Sequence, residues 1–297
     1  MEAAAQPKIG RIRRGWEITK SSWQVLKLDK ELASFPIISF FTALAILAPF
    51  AIVVGLNSTI TDDNITVNLP TGVQIAGVVL LYFLLTFAAN YFSGAIIYGA
   101  AQRFQGKNPT LRSCFQGVNA KFAPLALFSL MMAIVGLILQ ALEDRFPIAG
   151  QIAVAIFNGA WNIANIFAIP VIVLSEENVS PLGATKRSVG IIKKVWGEGI
   201  VVNLGLGLIA VLTVLVYILI WSIVGAVVNA TGSGIALAIT LGIAVIGFML
   251  IALIFSVLGG IAKAALYLYA TTGEAPALFD RNLLEGAVNK KKTAKAI

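Results

Sequence analysis

From residue 32 onward the chain alternates long apolar stretches with short polar connections. A hydrocarbon core about 30 Å thick is crossed by about 20 apolar helical residues. Six stretches reach that length: 32–56, 73–101, 122–142, 148–174, 200–228 and 234–269. The pattern predicts an all-α, polytopic membrane protein of six transmembrane helices. Residues 1–31 then form a cytoplasmic amphipathic segment, 32–275 the membrane domain and 276–297 a basic tail. The last two spans are long enough to tilt or to run past the membrane surface. The first follows a polar segment and exceeds the apolar region of a signal peptide, so no cleavage is expected.

The polar segments repeat. "ITKSSWQVLK" lies without gaps over "ATKRSVGIIK" at an offset of 166 residues, with Thr, Lys, the second Ser and the final Lys identical. On a helix, Trp16, Thr19, Trp23 and Leu26 share a face, as do Leu182, Thr185, Val189 and Ile192, with the 3, 4, 3 spacing of an amphipathic stripe. The loop "NPTLRSCFQGVNAKF" repeats the theme, with Asn108 as its expected cap and Leu111, Phe115, Val118 and Phe122 as its apolar face. A second offset, of 72, carries Thr86, Asn90 and Ser93 onto Asn158, Asn162 and Asn165. Three tandem hairpins are therefore expected, each preceded by a cytoplasmic amphipathic interfacial helix. Hairpins that cross twice keep their orientation, so a symmetry axis would run along the membrane normal.

Charge places the ends. Of 22 lysines and arginines, seven precede the first span, and the connections after the second and fourth hold four each. Five more lie in the tail, Lys263 near the end of the sixth span can snorkel to the same side, and Arg145 alone falls opposite. By the positive-inside rule both termini are cytoplasmic in a multi-pass cell-membrane protein. With 58% hydrophobic and 12% charged residues, the net charge of +8 reports topology before it reports a partner.

Composition also narrows the chemistry. There is no histidine and one cysteine, Cys114, so imidazole catalysis, an intrachain disulfide and a His- or Cys-based metal cluster are excluded. No charged residue falls within the core of a span, which argues against proton relays and voltage sensing. An enzyme is therefore not expected, and neither is a cofactor. Asn158, Asn162 and Asn165 share one helical face near mid-span, as do Thr86, Asn90 and Ser93, and both stripes should face the protein interior. Interhelical hydrogen bonding is the plainer reading. A polar cavity binding substrate at Asn90, Asn158, Asn162 and Asn165 is the sharper one. Pro170 should kink the fourth span.

Trp16, Trp23 and Trp196 belong at the headgroup layer, beside Lys186, Arg187, Lys193 and Lys194, so anionic membrane lipids are the expected partners. Copies of the chain or other membrane subunits are further candidates. Nucleic acid is disfavoured because the cations follow topology so closely.

The blocks "RRGWEITKSSWQVLKLDKEL", "VSPLGATKRSVGIIKKVWGE" and "ALYLYATTGEAP" resemble the recurring blocks of a prokaryotic family of six-span membrane proteins known as a domain of unknown function. More distantly, a polar helix before each hairpin is similar to the membrane domain of some glycerophosphodiester phosphodiesterases. The resemblance implies the fold and supplies no activity. The expected function is thus a membrane scaffold or lipid- and partner-organising protein, or a passive conduit. The alternative is a small-molecule transporter or permease component with a polar midplane site.

Overall fold

A computed structural model describes residues 11–61, 64–145, 148–195 and 199–280. It is mostly helical: α1 (Arg11–Leu28), a 3-10 turn (Lys30–Ala33), α2 (Ser34–Leu56), α3 (Thr71–Phe104), α4 (Leu111–Asn119), α5 (Phe122–Arg145), α6 (Ile148–Ala164), α7 (Ala168–Leu174), α8 (Pro181–Val195), α9 (Gly199–Asn229) and α10 (Gly234–Thr272). Six helical segments are long and apolar enough to cross a membrane: Lys30–Leu56, Thr71–Phe104, Phe122–Arg145, Gly150–Leu174, Ile209–Asn229 and Gly234–Thr272. The chain is a multi-pass membrane protein.

Two departures from the expected elements have local causes. The connection after α2 is not wholly irregular, because β1 (Ser58–Thr61) pairs antiparallel with β2 (Asn64–Val67), Thr59 opposite Thr66. Both strands are rich in β-branched residues, which suit extended backbone. The Asn68 amide donates to Thr59 Oγ1 at 2.6 Å, tying the end of the ribbon. The fourth span, in turn, is interrupted rather than kinked. Pro170 has no N–H and its ring crowds the carbonyl four residues back, at Ile166. The helix accordingly breaks between Ala164 and Ala168, ahead of the proline.

The chain divides into two compact units. One comprises Met1–Ala33, Ala100–Asn108 and Ile191–Ile297. Here α1 packs against α9 and α10, and the 3-10 turn against α10. The buried face of α1 is Ile18, Ser22, Val25 and Leu26, while Trp16 and Trp23 are 58% and 39% exposed. This corrects the expected stripe through Trp16, Thr19, Trp23 and Leu26 by roughly 100° of helix rotation, at 100° per residue. The small residues Gly15 and Ser22 sit on the inward side, where close helix packing favours them over an indole. Where α1 ends, Arg103 donates from Nε and Nη2 to the two carboxylate oxygens of Asp29, and Nη2 also reaches Asn108 Oδ1 at 2.8 Å.

The other unit comprises Ser34–Gly99 and Pro109–Gly190. Here α4 packs on α3: Phe115 lies near Tyr91 and Phe92, Tyr91 donates to Asn119 Oδ1 at 2.7 Å, and the Tyr98 ring lies over Gly117, leaving no room there for a side chain. The cap of α4 is Thr110, whose hydroxyl accepts from the Ser113 N–H in a capping box, and not Asn108. Asn108 is engaged by Arg103 instead. Phe122, placed by the sequence on the apolar face, is exposed, whereas Cys114 and Val118 are buried. Lys121 Nζ donates to the carbonyls of Glu176 and Glu177 at 2.9 and 3.1 Å, just past the C-terminus of α7, where carbonyls favour a cation.

Burial runs along the helix axes. In α3 the buried residues concentrate toward Ala95–Ala101 and the exposed ones toward Val73–Leu80; in α10 they concentrate from Val257 onward and over Ile235–Leu250 respectively. In α3 the buried end adjoins a cationic connection, and in both helices the exposed end is apolar surface suited to lipid. At 1.5 Å per residue, the 39 residues of α10 extend about 58 Å, nearly twice the hydrocarbon thickness. Its buried C-terminal part, with Lys263, therefore has length enough to stand beyond the bilayer core.

Candidate functional site

The interruption of the fourth span brings together the richest set of buried polar groups. A helix break frees backbone N–H and C=O groups, and in an apolar setting each needs a partner. Ser188, fully buried on α8, accepts from the Phe167 N–H at 3.1 Å. Asn165 donates through Nδ2 to the Trp161 carbonyl at 2.9 Å, and its Oδ1 accepts from the Thr185 hydroxyl at 2.7 Å. Two side chains of α8 thus close the break, one through backbone and one through an amide.

The buried face of α8 explains why this contact forms. Ala184, Ser188, Ile191 and Ile192 are buried and Leu182 is exposed, so the expected stripe through Leu182, Thr185, Val189 and Ile192 is turned as it is on α1. Lys186, Arg187 and Lys193 lie on the exposed side. Lys194 belongs to α8, and Trp196 lies outside the described residues. Arg187 pairs with Glu177 at 3.2 Å, an exposed bridge of small energetic weight.

The four asparagines predicted to share a site differ in exposure and take separate hydrogen-bond partners. Asn90 donates to the buried Ser129 Oγ at 2.9 Å, joining α3 to α5, and Asn165 is held by α8. Asn158 and Asn162 are exposed, with Asn162 Nδ2 donating to the Asn158 carbonyl and Oδ1 at 2.9 Å each. The inward orientation expected of the whole stripe therefore holds for Asn165 alone among the three on this span. On α6 the buried position is Val154, roughly 60° round the helix from the edge that carries Asn158 and Asn162, so those two amides are turned outward.

A crevice of about 600 Å³ lies between α2 and α3 beside β2. It is lined by apolar side chains such as Leu47, Phe50, Val54 and Val78, with the Gln74 amide turned to the Leu69 carbonyl at 2.7 Å. None of the predicted asparagines lines it. Among the described residues no three Cys, Asp or Glu side chains gather as metal ligands. What the arrangement does chemically is to hold helices by amide, hydroxyl and backbone bonds.

Ser188, Ser129 and the Asp29–Arg103 pair were not singled out as site residues by sequence. Ser188 has a signal, being identical to Ser22 in the sequence match at an offset of 166. Ser129 and Arg103 had none, because their partners lie 39 and 74 residues away.

Comparison with known proteins gives a family. Residues 73–277, more than half of the chain, match a family of unknown function (DUF6159). No curated protein and no solved structure matches the chain. The likeness to glycerophosphodiester phosphodiesterases finds no support in these comparisons and contributes nothing further.

Proposed function

Because the chain belongs to the DUF6159 family of unknown function, we propose from its own residues that it is a non-enzymatic membrane scaffold that organises anionic lipid at its cytoplasmic face. The observation that carries this reading is the shared register of α1 and α8. Ile18 and Ala184, Ser22 and Ser188, Val25 and Ile191, and Leu26 and Ile192 are buried, whereas Lys20 and Lys186, and Lys27 and Lys193, are exposed. Each pair is separated by 166 residues. Each polar helix also meets the second span of another hairpin: α1 packs on α9 and α10 together, Tyr91 of α3 bonds Asn119 of α4, and Ser188 of α8 bonds the Phe167 N–H ahead of α7. That recurrence supports three tandem hairpins, each polar helix resting on the second span of another hairpin. It leaves a row of cations facing outward beside exposed tryptophans, with Lys27 Nζ 6.0 Å from the centre of the Trp23 ring.

Cations near an anionic bilayer surface contribute about 1 kcal/mol each. Changing Lys186, Arg187, Lys193 and Lys194 to Glu is therefore expected to abolish enrichment of anionic over zwitterionic lipid around the protein, a loss of about tenfold or more. Native mass spectrometry from nanodiscs of mixed phosphatidylglycerol and phosphatidylcholine reads this directly. Unchanged lipid retention by the folded variant would sink the proposal.

A conduit or permease is the second reading, and the interrupted fourth span favours it, since broken helices line substrate and ion sites in transporters. Solute flux into proteoliposomes is then expected and should fall when Asn162 or Asn165 becomes Leu. Absence of flux, or flux indifferent to both changes, removes that reading.

A further inference from the structure

We propose that the exposed face of α6 is a seam at which two copies of this chain associate side by side in the membrane. The face is made by Gln151, Ala155, Asn158 and Asn162, spaced 4, 3 and 4, which fall within about 60° of arc on a helix. All four are exposed. The crossing segment is Gly150–Leu174, and Asn162 stands twelve residues from either end of it, at mid-span. Lipid tails offer no hydrogen bonds, so amides at that depth seek a protein surface.

The identity of that surface follows from which atoms are left over. Asn162 has used Nδ2 on the Asn158 carbonyl and Oδ1. Among the described residues, Asn158 Nδ2 has no acceptor and Asn162 Oδ1 no donor. One copy thus lacks an acceptor at 158 and a donor at 162, and a second copy offers both. Two copies inserted in the same orientation and related by a two-fold axis along the membrane normal place equal residues opposite one another. Asn158 of each then donates to Asn162 of the other, and the two bonds close symmetrically. Close approach is sterically open, since a Cβ added at Gly159, beside the stripe, would meet nothing within 4 Å. The spacing is that of a parallel helix pair in which small residues let backbones approach.

The test uses single-cysteine chains in membranes, with Cys114→Ala as the background. Oxidation of Ala155→Cys is expected to give a disulfide-linked pair, twice the 31.4 kDa chain. Ala160→Cys, exposed on the opposite side of α6, is expected to stay single. Adding Asn158→Leu and Asn162→Leu, which keeps the span apolar, should lower cross-linking of Ala155→Cys about tenfold at equal protein density, as loss of two interhelical bonds implies. Native mass of the unmodified protein from nanodiscs should read two chains. The seam is overturned by a single chain in that measurement, by equal cross-linking at Ala155→Cys and Ala160→Cys, or by capture of a different membrane protein at Ala155→Cys.

Discussion

Replacing Arg103 by methionine is expected to destabilise the protein by about 3 kcal/mol, the lower end of the range for removing one partner of a buried ion pair. Asp29 is the reason. Its side chain is 2% exposed, and Arg103 supplies donors to both carboxylate oxygens. Without the guanidinium, the carboxylate stays in place with its charge unmatched. Arg103 itself is 23% exposed, so Asp29→Leu leaves a cation that water can reach, and this change should cost less. Changing both residues together should recover much of the loss, because apolar groups replace a pair whose desolvation had offset its attraction. Unfolding of the detergent-solubilised protein, followed by helical circular dichroism, measures all three variants. Equal stability of Arg103→Met and the unmodified protein would show that the pair holds nothing.

The second large effect separates two serines that fall on each other at the offset of 166 residues. Ser188 and Ser22 are both fully buried, but Ser188 accepts from the Phe167 N–H while Ser22 Oγ has no partner among the described residues. Ser188→Val should therefore cost about 1–3 kcal/mol, because a buried N–H loses its acceptor. Ser22→Ala should be neutral or slightly stabilising, because a hydroxyl buried without a partner is removed. Amide exchange at Phe167 should accelerate in Ser188→Val and not in Ser22→Ala. Matching losses in the two variants would show that the helix break does not depend on this acceptor.

These effects mark what was legible beforehand. The apolar periodicity placed all six membrane-length helices, and the sequence match at an offset of 166 pointed to α1 and α8 and paired Ser22 with Ser188. The apolar stripe faces the wrong way on both helices; on α1 the reason is that tryptophan is apolar yet belongs at the headgroup layer, so Trp16 and Trp23 stay outward. Packing instead chose the side with serine, glycine and branched aliphatics, which allows close approach and leaves the indoles outward. Pro170 announced a defect in the fourth span. Which residues would close it was not readable, because the acceptor for Phe167 comes from a separate helix 21 residues further on.

By itself the amino-acid sequence determined the number of helices long and apolar enough to cross a membrane and the polar helices between them. Those properties depend on hydrophobicity and charge summed over many residues, so neighbours in the chain suffice. Only the tertiary structure decided that Asn165 meets Thr185, that Asn90 meets Ser129 and that Asn158 and Asn162 are left facing outward. A hydrogen bond needs its donor and acceptor within about 3 Å, and which groups come that close is set by how the helices rotate and pack.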